Sequence, residues 1–255
     1  MIITRSNMGI LDKLFGKKSS LPPIDLGVIK ADMHSHLIPG IDDGAATVDD
    51  AVELIEELHD MGYSKLITTP HIMSDYYKNT AEIINGGLEK MRNVLEEREI
   101  PVQLEAAAEY YMDYEFESKI DNKDLLTFGD NYVLFEISFL NAPDQLDHVV
   151  FKMRTYGYRP VLAHVERYPY WYNQPEQYEK LVDMGVLLQL YISSLGGQYG
   201  PHATRISRQL IDDNMIDLLG TDCHNMHYVG FLKSTLTDPY LYKVIESGKL
   251  LNAGL

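Results

Sequence analysis

The sequence has a single cysteine, Cys223, among its 255 residues. One cysteine excludes an intrachain disulfide and a zinc site built from several thiolates. It also excludes a phosphatase of the Cys-x5-Arg type, because the residue six positions after Cys223 is Val229 and no arginine follows it to bind a phosphate. Any phosphate chemistry in this chain therefore needs a nucleophile other than a thiolate.

The chain is also poor in basic residues, with 22 Lys and Arg against 38 Asp and Glu, which gives a formal net charge of −16. This charge would repel a nucleic-acid backbone, so we expect no nucleic-acid partner. No apolar run reaches the roughly 18 residues of a membrane span, and the N-terminus lacks the apolar centre of a secretory signal. We therefore expect a cytoplasmic protein without a membrane span.

Residues 1–27 are predicted to form a short N-terminal extension, and residues 28–255 a single domain. The extension has apolar residues at helical spacing between Ile10 and Phe15, followed by lysines, serines and prolines. Two roles remain open for it. It either packs on its own domain or docks onto a partner or an anionic membrane.

From residue 28 onward, short apolar β-rich segments alternate with longer segments of helical period, which predicts an α/β fold. The predicted strands are Val28–His34, Lys65–Thr69, Val102–Ala108, Tyr132–Ile137, Pro160–His164, Val186–Ile192 and Ile216–Thr221. The predicted helices are Thr47–Met61, Thr80–Glu99, Pro143–Tyr156, Pro175–Met184, His202–Asn214 and Pro239–Ser247. This order predicts parallel strands joined by helical crossovers, in a sheet that either lies open or closes into a barrel. A barrel would place its chemistry at the carboxyl ends of the strands.

Side chains able to bind metal stand at the ends of most predicted strands. They are His34 and His36, His71, Glu109, Glu136, His164, and Asp222 with His224. Asp42 and Asp43, in the loop after the first strand, can reach the same rim. An unpaired buried charge costs several kcal/mol, and few lysines or arginines stand at these strand ends to neutralise the carboxylates. We therefore predict divalent cations held by nitrogen and oxygen ligands, which suits manganese, zinc or iron.

So many ligands exceed the needs of one ion and suit two or three, which favours displacement at phosphorus. A metal ion can lower the pKa of bound water from about 16 to about 7 and so supply hydroxide at neutral pH. Arg167, three residues after His164, is predicted to bind a phosphoryl oxygen. The alternative for Arg167 is a surface ion pair with Glu166.

Aromatic residues suggest how a substrate is bound, since the chain has 18 tyrosines. Tyr110 follows Glu109 and Tyr168 follows Arg167, so both rings are predicted either to stack on an aromatic leaving group or simply to wall the rim. His227 is a candidate proton donor or substrate contact. Cys223 is expected to be a packed thiol that faces away from the metal ligands.

Seven short motifs occur in a consistent order between residues 31 and 225. They are Ala31-Asp32-Met33-His34-Ser35-His36, Asp42-Asp43-Gly44, Thr69-Pro70-His71, Ala108-Glu109-Tyr110-Tyr111, Phe135-Glu136, Ala163-His164-Val165-Glu166-Arg167-Tyr168 and Thr221-Asp222-Cys223-His224-Asn225. Together they resemble the polymerase and histidinol phosphatase (PHP) superfamily. Within it, the sequence is most similar to the bacterial manganese-dependent protein tyrosine phosphatases of capsular and extracellular polysaccharide systems.

The resemblance implies a distorted (β/α)7 barrel that holds two or three divalent ions, Mn²⁺ in preference to iron or zinc. Position by position, it implies one ion on His34, His36, Glu109 and Asp222, a second on Glu109, Glu136 and His164, and a third on Asp43, His71 and His224. It also implies that Arg167 binds phosphate. The sequence departs from the Gram-positive members in two places. Val229 stands where they carry a second arginine, for which His227 is a candidate substitute, and they lack the extension of residues 1–27.

The main hypothesis is therefore a metal-dependent protein tyrosine phosphatase in which a metal-bound hydroxide attacks phosphotyrosine. The resemblance implies that the substrate is a membrane tyrosine autokinase of polysaccharide export. The alternative enzyme is a small-molecule phosphomonoesterase of the same superfamily, such as one acting on histidinol phosphate. A 3′–5′ exonuclease is disfavoured by the net charge, and a non-enzymatic metal-binding module remains open. The sequence is compatible with a homo-oligomer and does not require one.

Overall fold

The computed structural model describes residues 21–255. Its strands are β1 (Ala31–Asp32), β2 (Lys65–Thr68), β3 (His71–Ile72), β4 (Gln103–Ala106), β5 (Glu109–Tyr111), β6 (Tyr132–Glu136), β7 (Arg159–Leu162), β8 (Leu187–Tyr191) and β9 (Leu218–Gly220). Its α-helices are α1 (Val48–Asp60), α2 (Ala81–Glu97), α3 (Tyr114–Asn122), α4 (Leu146–Thr155), α5 (Pro175–Asp183), α6 (Gly200–Asp212), α7 (Met226–Thr235) and α8 (Pro239–Glu246). All seven predicted strands and all six predicted helices have counterparts. The short strands β3 and β5 and the helices α3 and α7 were not predicted.

The named strands pair in parallel throughout. They run in the order β1-β2-β4 and then β3-β5-β6-β7-β8-β9. The two groups are continuous, because β3 follows β2 after a two-residue break and β5 follows β4 in the same way. Across these breaks, the N–H of Ala107 donates to the carbonyl of Thr68 and the N–H of Glu109 to that of Pro70. The nine short strands therefore form seven strand lines.

The first and last strand lines meet, so the sheet curls into a distorted barrel of the predicted (β/α)7 type. Ser35 and Cys223 form a parallel bridge beyond the ends of β1 and β9, and the N–H of Asp222 donates to the carbonyl of His34. The seam, which is the junction between β1 and β9, is also bridged by the side chain of Asn252. Its Nδ2 donates to the carbonyls of Ala31, at 3.0 Å, and Leu219, at 2.8 Å.

Two apolar clusters stabilise this barrel. The larger one packs the outer faces of the strands against the helices. The smaller one lies inside, formed by Met33, Ile67, Ala107, Phe128, Tyr132, Leu134, Val161, Ala163 and Leu218, with Leu255 packed against it. Because side chains alternate along a strand, Leu134 and Glu136 of β6 share the inner face. The interior is thus apolar below and becomes polar only at the carboxyl ends of the strands.

Residues 21–27, the described part of the predicted extension, pack on the barrel domain. Leu26 is fully buried, and the backbone N–H of Ile24 donates to the carbonyl of Leu236. The apolar spacing between Ile10 and Phe15 lies outside the described residues, so the extension as a whole stays a prediction. Among residues 21–255, no helix has both the length and the apolar character needed to cross a bilayer.

Replacing Asn252 with alanine is expected to destabilise the fold by about 2–4 kcal/mol, because buried polar groups would lose their partners. The Asn252 Oδ1 accepts from the N–H of Leu219 at 2.9 Å, in addition to the two bonds that Nδ2 donates. Urea unfolding followed by circular dichroism measures the change. Asn93→Ala, on the exposed face of α2, is the matched control and should shift stability by less than about 0.5 kcal/mol. Equal stability of the two variants would contradict the role of Asn252 at the seam.

Candidate metal centre

The carboxyl ends of the strands bring all nine predicted metal ligands together on one face of the barrel. His34 and His36 follow β1, Asp43 lies in the next loop, His71 begins β3, Glu109 begins β5, Glu136 ends β6, His164 follows β7, and Asp222 and His224 follow β9. His34 and Asp222, 188 positions apart in the sequence, thus meet because parallel strands share one carboxyl end, as in other barrels of this type.

Four of these residues form the most deeply buried group: His34, His36, Glu109 and Asp222. The Nε2 of His34 lies 3.2 Å from both Glu109 Oε2 and Asp222 Oδ1, and 3.4 Å from the Nε2 of His36. The Nε2 of His36 is 3.5 Å from Glu109 Oε2 and 3.4 Å from Asp222 Oδ1. Ligand atoms that share one ion at about 2.1 Å are separated by about 3.0–3.5 Å. The group therefore fits a divalent ion, and it is the set that the resemblance implied.

A second group joins Asp43, His71 and His224, and His36 also takes part in it. Asp43 Oδ1 lies 3.5 Å from the Nε2 atoms of both His71 and His224. The exposed fraction of the side chain rises from 0% at His36 to 13% at His71 and 52% at Asp43. The centre is therefore closed at its base and opens to solvent beside Asp43.

The third group surrounds Glu136. The Nε2 of His164 is 2.9 Å from Glu109 Oε1 and 3.7 Å from Glu136 Oε2. His71 faces the same carboxylates, with its Nδ1 3.3 Å from Glu109 Oε2 and 3.5 Å from Glu136 Oε1. The implied set of Glu109, Glu136 and His164 is thus together, with His71 as an additional neighbour. Glu109 contacts members of all three groups.

The electrostatics of the centre fit a cation. Burial, and then the nearby charge of Glu109, raise the pKa of Glu136 well above its usual range. Burial and the charge of Arg167 lower the pKa of His164 to about 4, so its imidazole is neutral and its nitrogen lone pair is available. The buried Nδ1 of His71 has no hydrogen-bond partner, although it faces two carboxylates. A divalent ion would satisfy the carboxylates and this nitrogen together.

Supporting residues orient the imidazoles. Gln189 Oε1 lies 3.1 Å from the Nδ1 of His34 and accepts from the backbone N–H of His164 at 2.8 Å. Asp42 Oδ2 lies 2.8 Å from the Nδ1 of His36 and accepts from the backbone N–H of His71 at 3.1 Å. Each supporting oxygen therefore leaves the Nε2 of its histidine directed into the centre. Asp42 is at the rim as predicted, whereas no sequence motif marks Gln189.

The backbone is also adapted to the centre. His164 and Asp222 have φ values of +34° and +45°, a region that non-glycine residues rarely adopt. Gly44 is required by a close approach, because a Cβ there would lie 2.3 Å from the carbonyl oxygen of His36. Such local strain persists only where the surrounding structure holds it in place, and it is common at functional sites.

Arg167 lies at the edge of the centre, where it pairs with Asp222 and not with Glu166. Its Nη1 is 3.1 Å from Asp222 Oδ2. The guanidinium lies 3.9 Å from the ring centroid of Tyr199 and 4.8 Å from that of Phe139. These two rings hold the side chain beside the metal ligands. Neither ring was predicted, because each comes from a distant segment without a local motif.

Three of the predicted substrate or catalytic residues are not placed to contact a substrate at the centre, although the ring of Tyr168 lies 6.0 Å from that of His164. Tyr110 points out of the barrel, where its buried hydroxyl accepts from the N–H of Leu126. Tyr168 is fully buried, and its hydroxyl donates to the carbonyl of Ala163. Both rings are therefore structural, which corrects their expected stacking on a substrate.

His227 is the third predicted residue that the structure does not place at the substrate. It lies in the first turn of α7 with an exposed side chain, and its ring packs edge-on against Phe231 at 5.0 Å between centroids. Within residues 21–255 its ring makes no hydrogen bond or ion pair with a metal-ligand residue, so the geometry does not support a proton donor here. Cys223, by contrast, is a buried free thiol as predicted.

Replacing Asp42 with asparagine is expected to weaken metal binding about 10–100-fold, the usual effect of losing a residue that orients a ligand. The amide keeps the size of the side chain but removes the charge that holds the His36 ring. Titration of the metal-free protein with Mn²⁺, followed by isothermal calorimetry, measures the affinity. Asp49→Asn is the control, because Asp49 is exposed on α1 and pairs with Arg98. Unchanged affinity in Asp42→Asn would contradict the orienting role.

The fold and the site define the class of protein: a PHP-type barrel enzyme that depends on metal ions. The match to a family model is more specific. Residues 30–229 match the family described as capsular polysaccharide synthesis, CpsB/CapC, and the chain belongs to this family. The family match confirms the resemblance that the seven motifs indicated.

Individual relatives agree with this assignment. The chain is 29% identical over 196 residues to the tyrosine-protein phosphatase YwqE of Bacillus subtilis, a match that covers 76% of this chain and 77% of YwqE. It is 27% identical over 229 residues to the putative tyrosine-protein phosphatase CapC of Staphylococcus aureus, covering 86% and 90% of the two chains. A crystal structure from a study of YwqE and of CpsB from Streptococcus pneumoniae, described as unique metal-dependent tyrosine phosphatases, superposes with a TM-score of 0.77 at 27% identity, covering 86% of this chain and 87% of that one.

Proposed function

We propose that this protein is a metal-dependent protein tyrosine phosphatase of a capsular or extracellular polysaccharide system. The observation that carries the proposal is Arg167, a guanidinium fixed at the edge of three groups of potential metal ligands. A planar guanidinium beside a site for divalent metal ions is suited to bind the doubly charged phosphate group of a monoester. Membership of the CpsB/CapC family and the names of the relatives support the same activity.

The chain's own residues would hold two or three divalent ions, and we propose Mn²⁺ as the metal, with iron or zinc as substitutes. His34, His36, Glu109 and Asp222 would hold one ion, and the residues around Glu136 and around Asp43 would hold the others. When bound, such ions neutralise phosphoryl charge and lower the pKa of coordinated water. The imidazole and carboxylate ligands fit all three metals, since no thiolate is present to favour zinc.

Arg167 binds the phosphoryl group in this mechanism. Its fork can donate two parallel N–H groups to one phosphate, while the rings of Phe139 and Tyr199 keep it extended toward the centre. Asp222, its partner here, also belongs to the most buried ligand group, so Arg167 is held next to the reacting phosphorus. A phenolate leaves readily because the pKa of tyrosine is about 10. The reaction therefore needs little help from a general acid, in line with the position of His227.

The proposed substrate is a phosphotyrosyl protein, namely a membrane tyrosine autokinase that acts in polysaccharide export, dephosphorylated on its cytoplasmic side. The centre opens to solvent beside Asp43 and His71, so a phosphotyrosine side chain can enter from the rim while the rest of the protein stays outside. A small phosphomonoester such as histidinol phosphate would leave the rim unused.

The experiment compares three substrates: p-nitrophenyl phosphate, a phosphotyrosyl peptide and histidinol phosphate. The purified protein is stripped with a chelator and then reloaded with Mn²⁺, Zn²⁺ or Mg²⁺. We expect phosphate release from both aryl phosphates that is lost on chelation and restored best by Mn²⁺. Faster hydrolysis of histidinol phosphate would favour the small-molecule alternative, and a fully metallated protein without activity on any of the three would overturn the proposal.

A further inference from the structure

Three exposed apolar side chains lie on the rim of the barrel next to the metal centre. Tyr76 is 76% exposed, Tyr114 is 74% exposed and Leu140 is 91% exposed. Each comes shortly after the carboxyl end of a strand: Tyr76 after β3, Tyr114 after β5 and Leu140 after β6. We call these three side chains the rim arc. Single exposed apolar side chains are common on protein surfaces, but a group of them beside a functional site marks a candidate interaction surface.

The three members of the rim arc follow strands that are neighbours in the sheet. β3, β5 and β6 are adjacent in the sheet, and adjacent strands lie about 4.8 Å apart. Hydrogen bonds also join the three segments: the N–H of Ser74 donates to Asp113 Oδ2, and the N–H of Met112 donates to the carbonyl of Glu136. The loop of Tyr76, the start of α3 and the end of β6 therefore form one surface.

At both ends, residues next to this surface contact the metal centre or Arg167. Tyr77, the neighbour of Tyr76, stacks on His71 with ring centroids 5.3 Å apart. Phe139, the neighbour of Leu140, lies 5.5 Å from the ring of His164 and 4.8 Å from the guanidinium of Arg167. A chain that delivers a side chain between His71 and Arg167 can therefore contact the rim arc with its flanking residues.

On the basis of the proposed phosphatase function, we propose that the rim arc binds the polypeptide on either side of the phosphotyrosine and so makes the enzyme selective for proteins with apolar residues there. The charge of the surface sets a second preference. Residues 73–78, 112–117 and 137–144 contain five carboxylates, Asp75, Asp113, Glu115, Glu117 and Asp144, and one lysine, Lys78. Glu117 is paired with Lys152, so four carboxylates remain beside Lys78. Acidic flanking residues would be repelled, so the preferred partner is an apolar segment that is neutral or basic.

The test compares wild type with the triple variant Tyr76→Ser, Tyr114→Ser, Leu140→Ser, assayed on two phosphotyrosyl peptides and on p-nitrophenyl phosphate. One peptide carries leucine and tyrosine flanks and the other carries glycine and serine flanks. We expect wild type to favour the apolar peptide by about 10-fold in kcat/KM, mainly through KM, as burial of a few apolar side chains would give. The triple variant should lose this preference, and its activity on p-nitrophenyl phosphate should stay within about twofold of wild type because the small ester does not reach the arc.

Phe151→Ser is the matched control, because Phe151 is 70% exposed on α4, away from the rim. It should leave all three substrates unaffected. A triple variant that keeps the peptide preference, or that loses peptides and the small ester equally, would overturn the inference while leaving the phosphatase function intact. A change of oligomeric mass in light scattering with unchanged selectivity would overturn it too, since the arc would then contact a second copy. Wild type without activity on any aryl phosphate would remove the proposed function and this inference with it.

Discussion

Glu109→Gln is expected to lower kcat on p-nitrophenyl phosphate by more than about 100-fold, beyond the 10–100-fold range of residues that only support a ligand. The Glu109 carboxylate lies within 3.5 Å of nitrogen atoms of His34, His36, His71 and His164. Glutamine has nearly the same shape, but it carries no charge and offers one acceptor oxygen in place of two. The variant should therefore lose metal as well as activity.

The matched control for this prediction is Glu105→Gln. Glu105 lies on β4, four residues earlier, and pairs with Lys65 outside the centre. Activity and metal content should match wild type in the control, and circular dichroism should show that both variants are folded. A Glu109→Gln protein with wild-type metal content and wild-type kcat would show that the carboxylate does not bind the ions.

Arg167→Ala is the second substitution for which we expect a large loss of activity. Loss of a single charge-stabilising donor typically lowers kcat by about 10²–10³-fold, and we expect a loss of this size in kcat/KM. Arg167 is not a predicted metal ligand, so the metal content should be unchanged. Steady-state kinetics beside metal analysis of the same preparation separate the two effects. This result would also exclude a non-enzymatic metal-binding module, which has no use for a phosphate-binding arginine.

Arg205→Ala is the control for Arg167→Ala. Arg205 is an exposed residue of α6 whose Nη2 donates to the carbonyl of Tyr172, so it shares the charge of Arg167 and lies outside the metal centre. Activity within about twofold of wild type is expected for Arg205→Ala, as for most surface substitutions away from such features. Loss of metal in parallel with activity in Arg167→Ala would contradict a role at phosphate.

The candidate metal ligands could be found from the sequence because their positions follow a simple rule. All but Asp43 stand where a predicted parallel strand ends, and such ends meet at one edge of the barrel. The same rule explains which residues and strands could not be predicted from the sequence. Phe139, Gln189 and Tyr199 reach the centre from separate segments, and no short motif marks them. β3 and β5 are only two and three residues long, too short for a periodic pattern.

The incorrect expectation for Tyr110 has an instructive cause. Side chains alternate across a strand, so an inward Glu109 requires an outward Tyr110. This alternation is sufficient to exclude Tyr110 from the substrate site. The position of Tyr110 directly after Glu109 in the sequence had suggested a substrate contact. The exposed Tyr76 and Tyr114 lie in a loop and at the start of a helix that no strong pattern predicted, so their positions became clear only from the fold. A residue that follows a candidate ligand directly in the sequence, such as Tyr110 after Glu109, therefore does not have to face the centre.

We propose that imidazoles and carboxylates from most strands of the barrel hold divalent ions on which phosphate release depends. The most direct test is a titration of chelator-treated protein with Mn²⁺ in which bound metal and phosphate release are measured on the same samples. We predict that activity rises from background in step with bound metal and is complete at two or three ions per chain. Full activity in samples that contain almost no bound metal would contradict the metal dependence proposed for this protein.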